Sequence, residues 1–223
     1  MTDRLAAVLF DMDGLLVDTE PLWFETEAEV MGRLGAAWTK ADQEQLLGGS
    51  MERTVGYLLA KATRPAPARE VTRWMMEGML KRAAEGRIVV RPGARELLSE
   101  VAAAAIPYAL VTSSQREFAD AVLTGTGFRF PVTVCGDAVT ATKPAPDPYL
   151  LAAKLLDADP ANCVALEDSP NGVASATSAG CHVVAVPSIL PTPPALIIPP
   201  APGRLVLRSL REVTVETLRA LVP

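Results

Sequence analysis

The sequence predicts an α/β fold, a doubly wound parallel sheet with a helical domain inserted after its first strand. Three features predict it. From about residue 88 onward, short apolar runs alternate with stretches of helical periodicity, the signature of repeated strand–helix–strand units. Residues 16 to 87 break that alternation and read as one helix after another. Four of the apolar runs lead into carboxylates, hydroxyls or a lysine, at the edge where an open parallel sheet binds ligands. The expected division is residues 1–15 and 88–223 for the sheet domain and 16–87 for the helical one. A chain of 223 residues has room for both.

The elements follow in order. Leu5–Phe10 is a short apolar run and reads as a buried strand ending at Asp11. Pro21 suits a first helical position, and Trp23, Phe24, Ala28, Met31 and Leu34 recur at helical spacing up to Gly35. Further helices are expected over Ala41–Leu47, Met51–Lys61 and Ala68–Glu85. Pro92 and Gly93 precede a helix through Glu96, Leu97, Leu98 and Val101, and Tyr108–Val111 is a strand. Ser114 and Glu117 fit a capping box, which predicts a helix from there to Gly125 or Gly127. Val132–Cys135 reads as strand, Pro148–Leu156 as helix and Val164–Leu166 as strand. Ser169 and Pro170 then supply a cap and a first-turn proline for the next helix. His182–Val186 reads as strand and Val213–Leu221 as a closing helix. Between them, 187–203 is dense in proline and is expected to be an irregular surface segment.

Composition narrows the function classes. The chain is 49% hydrophobic and 21% charged, ordinary for a globular protein with a buried core. Its net charge of −5 lacks the basic footprint of a nucleic-acid binder. Cys135, Cys163 and Cys181 are odd in number and form no Cys-x-x-Cys pair, so neither a disulfide framework nor a zinc site is expected. The polar start, Met1 to Leu5, lacks the layout of a signal peptide. Prolines break both of the most apolar stretches, so neither approaches the roughly 20 apolar residues of a membrane span. A cytoplasmic protein is expected, with no membrane partner.

The strand ends carry the chemistry. The first ends in Asp11-Met12-Asp13-Gly14 and the second in Thr112-Ser113. The third is followed, beyond Asp137, by Lys143, and the fourth ends in Glu167-Asp168. Clustered carboxylates raise one another's pKa values unless a cation sits among them. Their hard oxygens suit Mg²⁺, which takes one or two carboxylates together with substrate phosphate. A carboxylate is a competent nucleophile toward phosphorus. A second one two residues along can protonate the leaving oxygen and then activate water. A hydroxyl and a lysine on neighbouring strand ends can hold the remaining phosphate oxygens. Gly14 lets the chain turn sharply away from the site.

Four stretches resemble the motifs of the haloacid dehalogenase-like phosphatase superfamily, in the family's order. They are Phe10-Asp11-Met12-Asp13-Gly14-Leu15-Leu16-Val17-Asp18-Thr19-Glu20-Pro21, Thr112-Ser113-Ser114, Lys143-Pro144-Ala145-Pro146-Asp147-Pro148-Tyr149 and Leu166-Glu167-Asp168-Ser169-Pro170-Asn171-Gly172. The chain is most similar to the branch with a helical cap after the first strand, which includes β-phosphoglucomutase and small sugar-phosphate phosphatases. The resemblance implies a Rossmann-like core and an aspartyl-phosphate intermediate. It makes Asp11 the nucleophile and a Mg²⁺ ligand, and Asp13 the general acid/base with its backbone carbonyl on the metal. Asp168 becomes the main carboxylate ligand, and Glu167 a ligand or a supporting partner. Thr112 and the Ser113 backbone N–H bind phosphate, and Lys143 bridges phosphate and Asp11. Gly48-Gly49-Ser50 and Arg53 lie where cap loops of similar proteins meet the substrate, so Gly49 and Arg53 are candidate substrate contacts. For Arg53, a role on a second anionic group and a place as a solvated helix residue stay open.

The expected activity is hydrolysis of a small phosphomonoester, with a sugar phosphate as the substrate class, by a monomer or alternatively a dimer. The alternative reaction is a phosphosugar mutase like β-phosphoglucomutase. That branch carries a histidine in the first cap helix, where this chain has Trp23, and this favours transfer to water. Asp13 argues against the metal-free dehalogenases, which lack it. A receiver domain shares the aspartate, hydroxyl and lysine, but has an early acidic pair and no such insertion. A non-catalytic binder should have lost one of Asp11, Asp13, Lys143 or Asp168. Trp23, Met31, Met75 and Met76 are expected in the core of the helical domain. His182 is expected to be structural, Asp137 is a candidate for the edge of the site, and Asp18 either caps a helix or supports the site.

Overall fold

The structure is a computed structural model that describes residues 5–46, 49–188 and 198–223. In chain order it begins with β1 (Ala7–Phe10) and β2 (Val17–Asp18), followed by α1 (Glu20–Arg33), α2 (Lys40–Glu44), α3 (Met51–Lys61) and α4 (Ala68–Ala84). Next come β3 (Val89–Val90), α5 (Ala94–Ala103), β4 (Tyr108–Val111), α6 (Arg116–Thr126), β5 (Val132–Val134) and α7 (Asp147–Leu155). The chain closes with β6 (Cys163–Glu167), α8 (Pro170–Ser178), β7 (His182–Ala185), β8 (Arg204–Val206) and α9 (Val215–Leu221).

Six strands form one sheet in the order β5-β4-β1-β6-β7-β8, and every pairing is parallel. Both faces are covered, as a parallel sheet requires. Val8, Phe10, Leu110, Val164 and Leu166 pack with α5, α6 and α9. Their neighbours Ala7, Leu9, Ala109, Val111 and Ala165 pack with α7 and α8. Alanines from strand and helix meet on that second side, including Ala152, Ala153 and Ala176, so α7 and α8 lie close to the sheet. Cys135, Cys163 and Cys181 are buried free thiols. Among the described residues no helix is long and apolar enough to cross a membrane.

Helices α1, α3 and α4 build a core of their own from Val30, Met31, Leu34, Val55, Leu58, Val71 and Met75. Met76 belongs to the other cluster. With Leu22, Met79 and Ala83 it packs toward Phe118, Ala119 and Val122 of α6. Arg82, buried at the end of α4, reaches Glu25 and Glu29 of α1 at 3.3 Å each, and Arg87 grips Glu25 with two bonds of 2.7 Å. Both ends of the helical block run through an antiparallel ribbon in which Val17 pairs with Val90 and Asp18 with Val89.

Three strands were not expected. β2 and β3 are two residues each, too short for a periodic signal. β8 is a half-buried edge strand just past the proline-dense stretch, and its three residues are too few for a periodic signal. Most of that stretch, residues 189–197, lies outside the described residues. The capping box also fails. Gln115 is the N-cap residue of α6 and makes no side-chain cap bond, because the Ser114 hydroxyl is engaged elsewhere.

Candidate active site

β1 occupies the point where the strand order reverses, with β4 on one side and β6 on the other. A crevice opens at the carboxyl ends of strands at such a point. Asp11 follows β1 directly and still donates its backbone N–H to Leu166 at 3.0 Å. Its carboxyl Oδ1 accepts from Lys143 Nζ at 2.6 Å. The same ammonium donates to Glu167 Oε1 at 2.6 Å and to the Val111 carbonyl at 2.9 Å. An ammonium has three N–H donors, and here all three are used, so Lys143 is fixed in direction as well as place. Glu167, fully buried, also accepts from the Tyr149 hydroxyl at 2.5 Å and from the Asp168 N–H at 3.2 Å.

Tyr149 was not singled out as a site residue. It closes the third motif, and its place on the first turn of α7 beneath the sheet was the available signal. Replacing it with phenylalanine is expected to destabilise the fold by about 1–3 kcal/mol, since a buried carboxylate oxygen loses a donor. Urea denaturation of Tyr149→Phe checks this, and an unchanged midpoint would count against that support.

Burial pushes the Asp11 carboxyl well above the usual range. Lys143 pulls it back, while Glu167, Asp168 and Asp13 push it further up. Asp168 is raised too, by burial and then by Glu167. Burial alone would depress Lys143, but Asp11 and Glu167 more than reverse this and keep the ammonium charged. The site therefore holds more buried negative charge than one lysine offsets. One oxygen each from Asp11, Glu167 and Asp168 lie within 4.8 Å of one another. Hard oxygen donors carrying excess negative charge fit a divalent cation such as Mg²⁺. Asp168 lies so close to Gly14, which has φ +82°, that any Cβ there would fall on its carboxyl.

Asp13 lines the same crevice as Asp11. Its Oδ1 accepts from Thr19 Oγ1 at 2.6 Å and from Trp23 Nε1 at 3.5 Å. Its Oδ2 accepts from Ser114 Oγ at 2.8 Å and Thr112 Oγ1 at 3.2 Å. Ser114 was expected to cap α6; its hydroxyl orients Asp13 instead. The Thr112 hydroxyl is buried and accepts from the Ser114 N–H at 3.0 Å, so it supports Asp13 from below. Ser113 lines the cavity, and its buried Oγ has no hydrogen-bond partner among the described residues. Asp18 is paired in β2, and Thr19 is the residue at the head of α1. Asp137 accepts from the Arg116 N–H at 3.3 Å, at the start of α6.

The crevice extends up against the helical block as a cleft of about 750 Å³, counted out to its open mouth. Asp11, Asp13, Ser113, Lys143 and Asp168 line its floor, while Trp23 and Gly49 line its upper part. Gly48 lies outside the described residues. Arg53 is exposed and does not itself line the cleft: its side chain passes beside Gly49, and its guanidinium donates to the Gln45 carbonyl at 2.7 Å. Two carboxyls that were not anticipated do line it. Glu20 is raised to about 7 by burial and by Asp13, and Glu27 to about 8 by burial.

Residues 8–186 match the family described as haloacid dehalogenase-like hydrolase. Hexitol phosphatase A of Escherichia coli (strain K12) is 36% identical over 220 residues, covering 95% of this chain and 94% of that protein. Protein CbbY of Rhodobacter capsulatus is 34% identical over 196 residues, covering 83% and 86%. Among solved structures, a mutant of CbbY from Rhodobacter sphaeroides in complex with xylulose 1,5-bisphosphate superposes with a TM-score of 0.85 at 30% identity. That match covers 96% of this chain and 99% of the other.

Proposed function

The chain belongs to the haloacid dehalogenase-like hydrolase family, and from that premise we propose that it is a Mg²⁺-dependent phosphatase acting on a small sugar phosphate through an aspartyl-phosphate on Asp11. One observation carries the reading: Asp11, held by Lys143 at 2.6 Å, lines the same crevice as Asp13. Mg²⁺ would be held by Asp11, Asp168 and the Asp13 backbone carbonyl, with Glu167, whose oxygen lies in the same cluster but also accepts from Lys143, Tyr149 and the Asp168 N–H, as a ligand or a supporting partner. The ion supplies positive charge that lets a carboxylate approach a phosphate dianion.

Asp11 attacks phosphorus and the bond to the leaving oxygen breaks. Asp13 gives that oxygen its proton. Asp13 then takes a proton from water as the water attacks the aspartyl-phosphate, releasing phosphate and restoring Asp11. The partners of Asp13 suit both halves of the cycle. The hydroxyls of Thr19, Thr112 and Ser114 can rotate to donate to the carboxylate or accept from the carboxylic acid. Lys143 offsets the charge that builds up on the phosphoryl oxygens. The Ser113 backbone N–H and its free hydroxyl are the phosphate donors left available, with Thr112 acting through Asp13.

Residues 16–87 act as the cap and 1–15 with 88–223 as the core. The separate helical core and the ribbon at its base support that division. Trp23 in the first cap helix, donating to Asp13, supports water rather than a second sugar as acceptor. The test is phosphate release from a panel of sugar monophosphates, with and without Mg²⁺, by the parent and by Asp13→Asn. The parent is expected to require Mg²⁺. Asp13→Asn is expected to lose about 10²–10⁴-fold in kcat while still binding the ion through its retained carbonyl. No release from any substrate, or full turnover by Asp13→Asn, would overturn the reading.

A further inference from the structure

We infer that the cap side of the cleft is a hydroxyl-binding subsite centred on Glu27, so that the enzyme selects an uncharged, polyhydroxylated leaving group with one phosphate and rejects bisphosphates. This deepens the phosphatase reading and rests on it. The observation is a charge distribution. Among the described residues lining the cleft, Lys143 is the sole base, and Asp11, Glu167 and Val111 already take its donors. Residues 47–48 and 189–197 contain no lysine or arginine either. Arg53, the cation nearest in sequence to the cap loop, is turned to the Gln45 carbonyl.

What lines the cap side is polar without being cationic. Glu27 is 3% exposed, and its single hydrogen bond among the described residues is from Trp38 Nε1 at 3.1 Å to Oε2. Its other oxygen has no partner among the described residues, and Glu27 lines the cleft. Glu20 accepts from Gln43 Nε2 at 3.1 Å, and the same amide group donates to the Glu20 carbonyl at 2.9 Å. Gln43 also lines the cleft, and its Oε1 has no hydrogen-bond partner among the described residues. Leu46 and Met51 supply apolar wall between these groups. Carboxyl oxygens and an amide oxygen set against apolar side chains fit a sugar or polyol, which offers O–H donors along one edge and C–H groups along its face.

A second phosphate would meet no counter-charge among the described residues that line this part of the cleft. A buried, uncompensated charge is costly, and specificity against such a ligand follows from that cost alone. The bisphosphate bound by the CbbY neighbour is therefore not expected to suit this chain.

The test uses the full-length Asp11→Asn protein with Mg²⁺, so that ligands persist, and isothermal calorimetry with sorbitol 6-phosphate, fructose 6-phosphate, fructose 1,6-bisphosphate and inorganic phosphate. The monophosphates are expected to bind roughly 100-fold more tightly than the bisphosphate. Adding Glu27→Met should weaken sorbitol 6-phosphate about tenfold more than inorganic phosphate, with Glu27→Gln recovering most of the loss. A bisphosphate that binds as tightly as the monophosphates overturns the subsite and leaves the phosphatase reading standing. Failure of every ligand to bind, inorganic phosphate included, overturns both. Should Glu27→Met fail to fold, the ratio of monophosphate to bisphosphate affinity still decides.

Discussion

Asp11→Asn is expected to lower kcat by roughly 10⁴-fold or more while leaving a folded protein. The amide keeps the shape of the side chain and an oxygen for Lys143, so the contacts around it survive. It removes the proposed nucleophile, and neither Asp168 nor Glu167 is expected to substitute. Glu167 is held by Lys143 and Tyr149, and Asp168 is packed against Gly14. The same substitution takes one negative charge out of a buried set in which burial and mutual repulsion hold Asp11 and Asp168 well above the usual carboxylate range. Without Mg²⁺ the variant should therefore melt no lower than the parent. The Mg²⁺-dependent rise in melting temperature should shrink, because fewer ligands remain to tie the ion to the folded state. Turnover assays and thermal melts with and without Mg²⁺ check both halves. Retained turnover would remove Asp11 from its role, and a large loss of Tm would show that its charge is structural.

Gly172→Ala is expected to be strongly damaging. Gly172 lies buried in the first turn of α8, where its N–H donates to Ser169 Oγ at 3.2 Å. A Cβ at this position would fall on the Glu167 carboxyl, where there is no free space. Glu167 cannot yield cheaply, since Lys143, Tyr149 and the Asp168 N–H all hold it. Either the carboxylate leaves its partners inside the protein or α8 moves off the sheet. Overpacking together with disruption of a buried ion pair suggests a loss of about 2–4 kcal/mol. Misplacing Lys143 should also lower kcat by about 100-fold. Chemical denaturation and kcat measured on the same preparation test this, and a variant equal to the parent in both would show that Glu167 relocates freely.

How much was legible follows from the range over which each signal acts. Strands β1, β4, β6 and β7 and helix α3 were readable because apolar periodicity over four or more residues records burial directly. The two-residue ribbon and the edge strand β8 were not, since their pairing depends on what lies beside them rather than on their own pattern. Ser114 shows the limit most plainly. Its spacing to Glu117 matches a helix cap, but a buried hydroxyl binds the strongest acceptor within reach, and the fold places the Asp13 carboxylate there at 2.8 Å.

The sequence by itself determined the α/β class and the identity of the polar strand ends, Asp11, Asp13, Thr112, Lys143, Glu167 and Asp168. These are local properties, written as runs and spacings along the chain. Only the tertiary structure decided what each side chain does. It closes the donors of Lys143 on Asp11, Glu167 and Val111, ties Tyr149 to Glu167, turns Thr112 toward Asp13, holds the Arg53 guanidinium on the Gln45 carbonyl and brings Glu20 and Glu27 into the cleft. The physical reason is that hydrogen bonding and desolvation depend on distances through space of a few ångströms, between residues as far apart as Asp11 and Lys143, and no pattern along the chain encodes those distances.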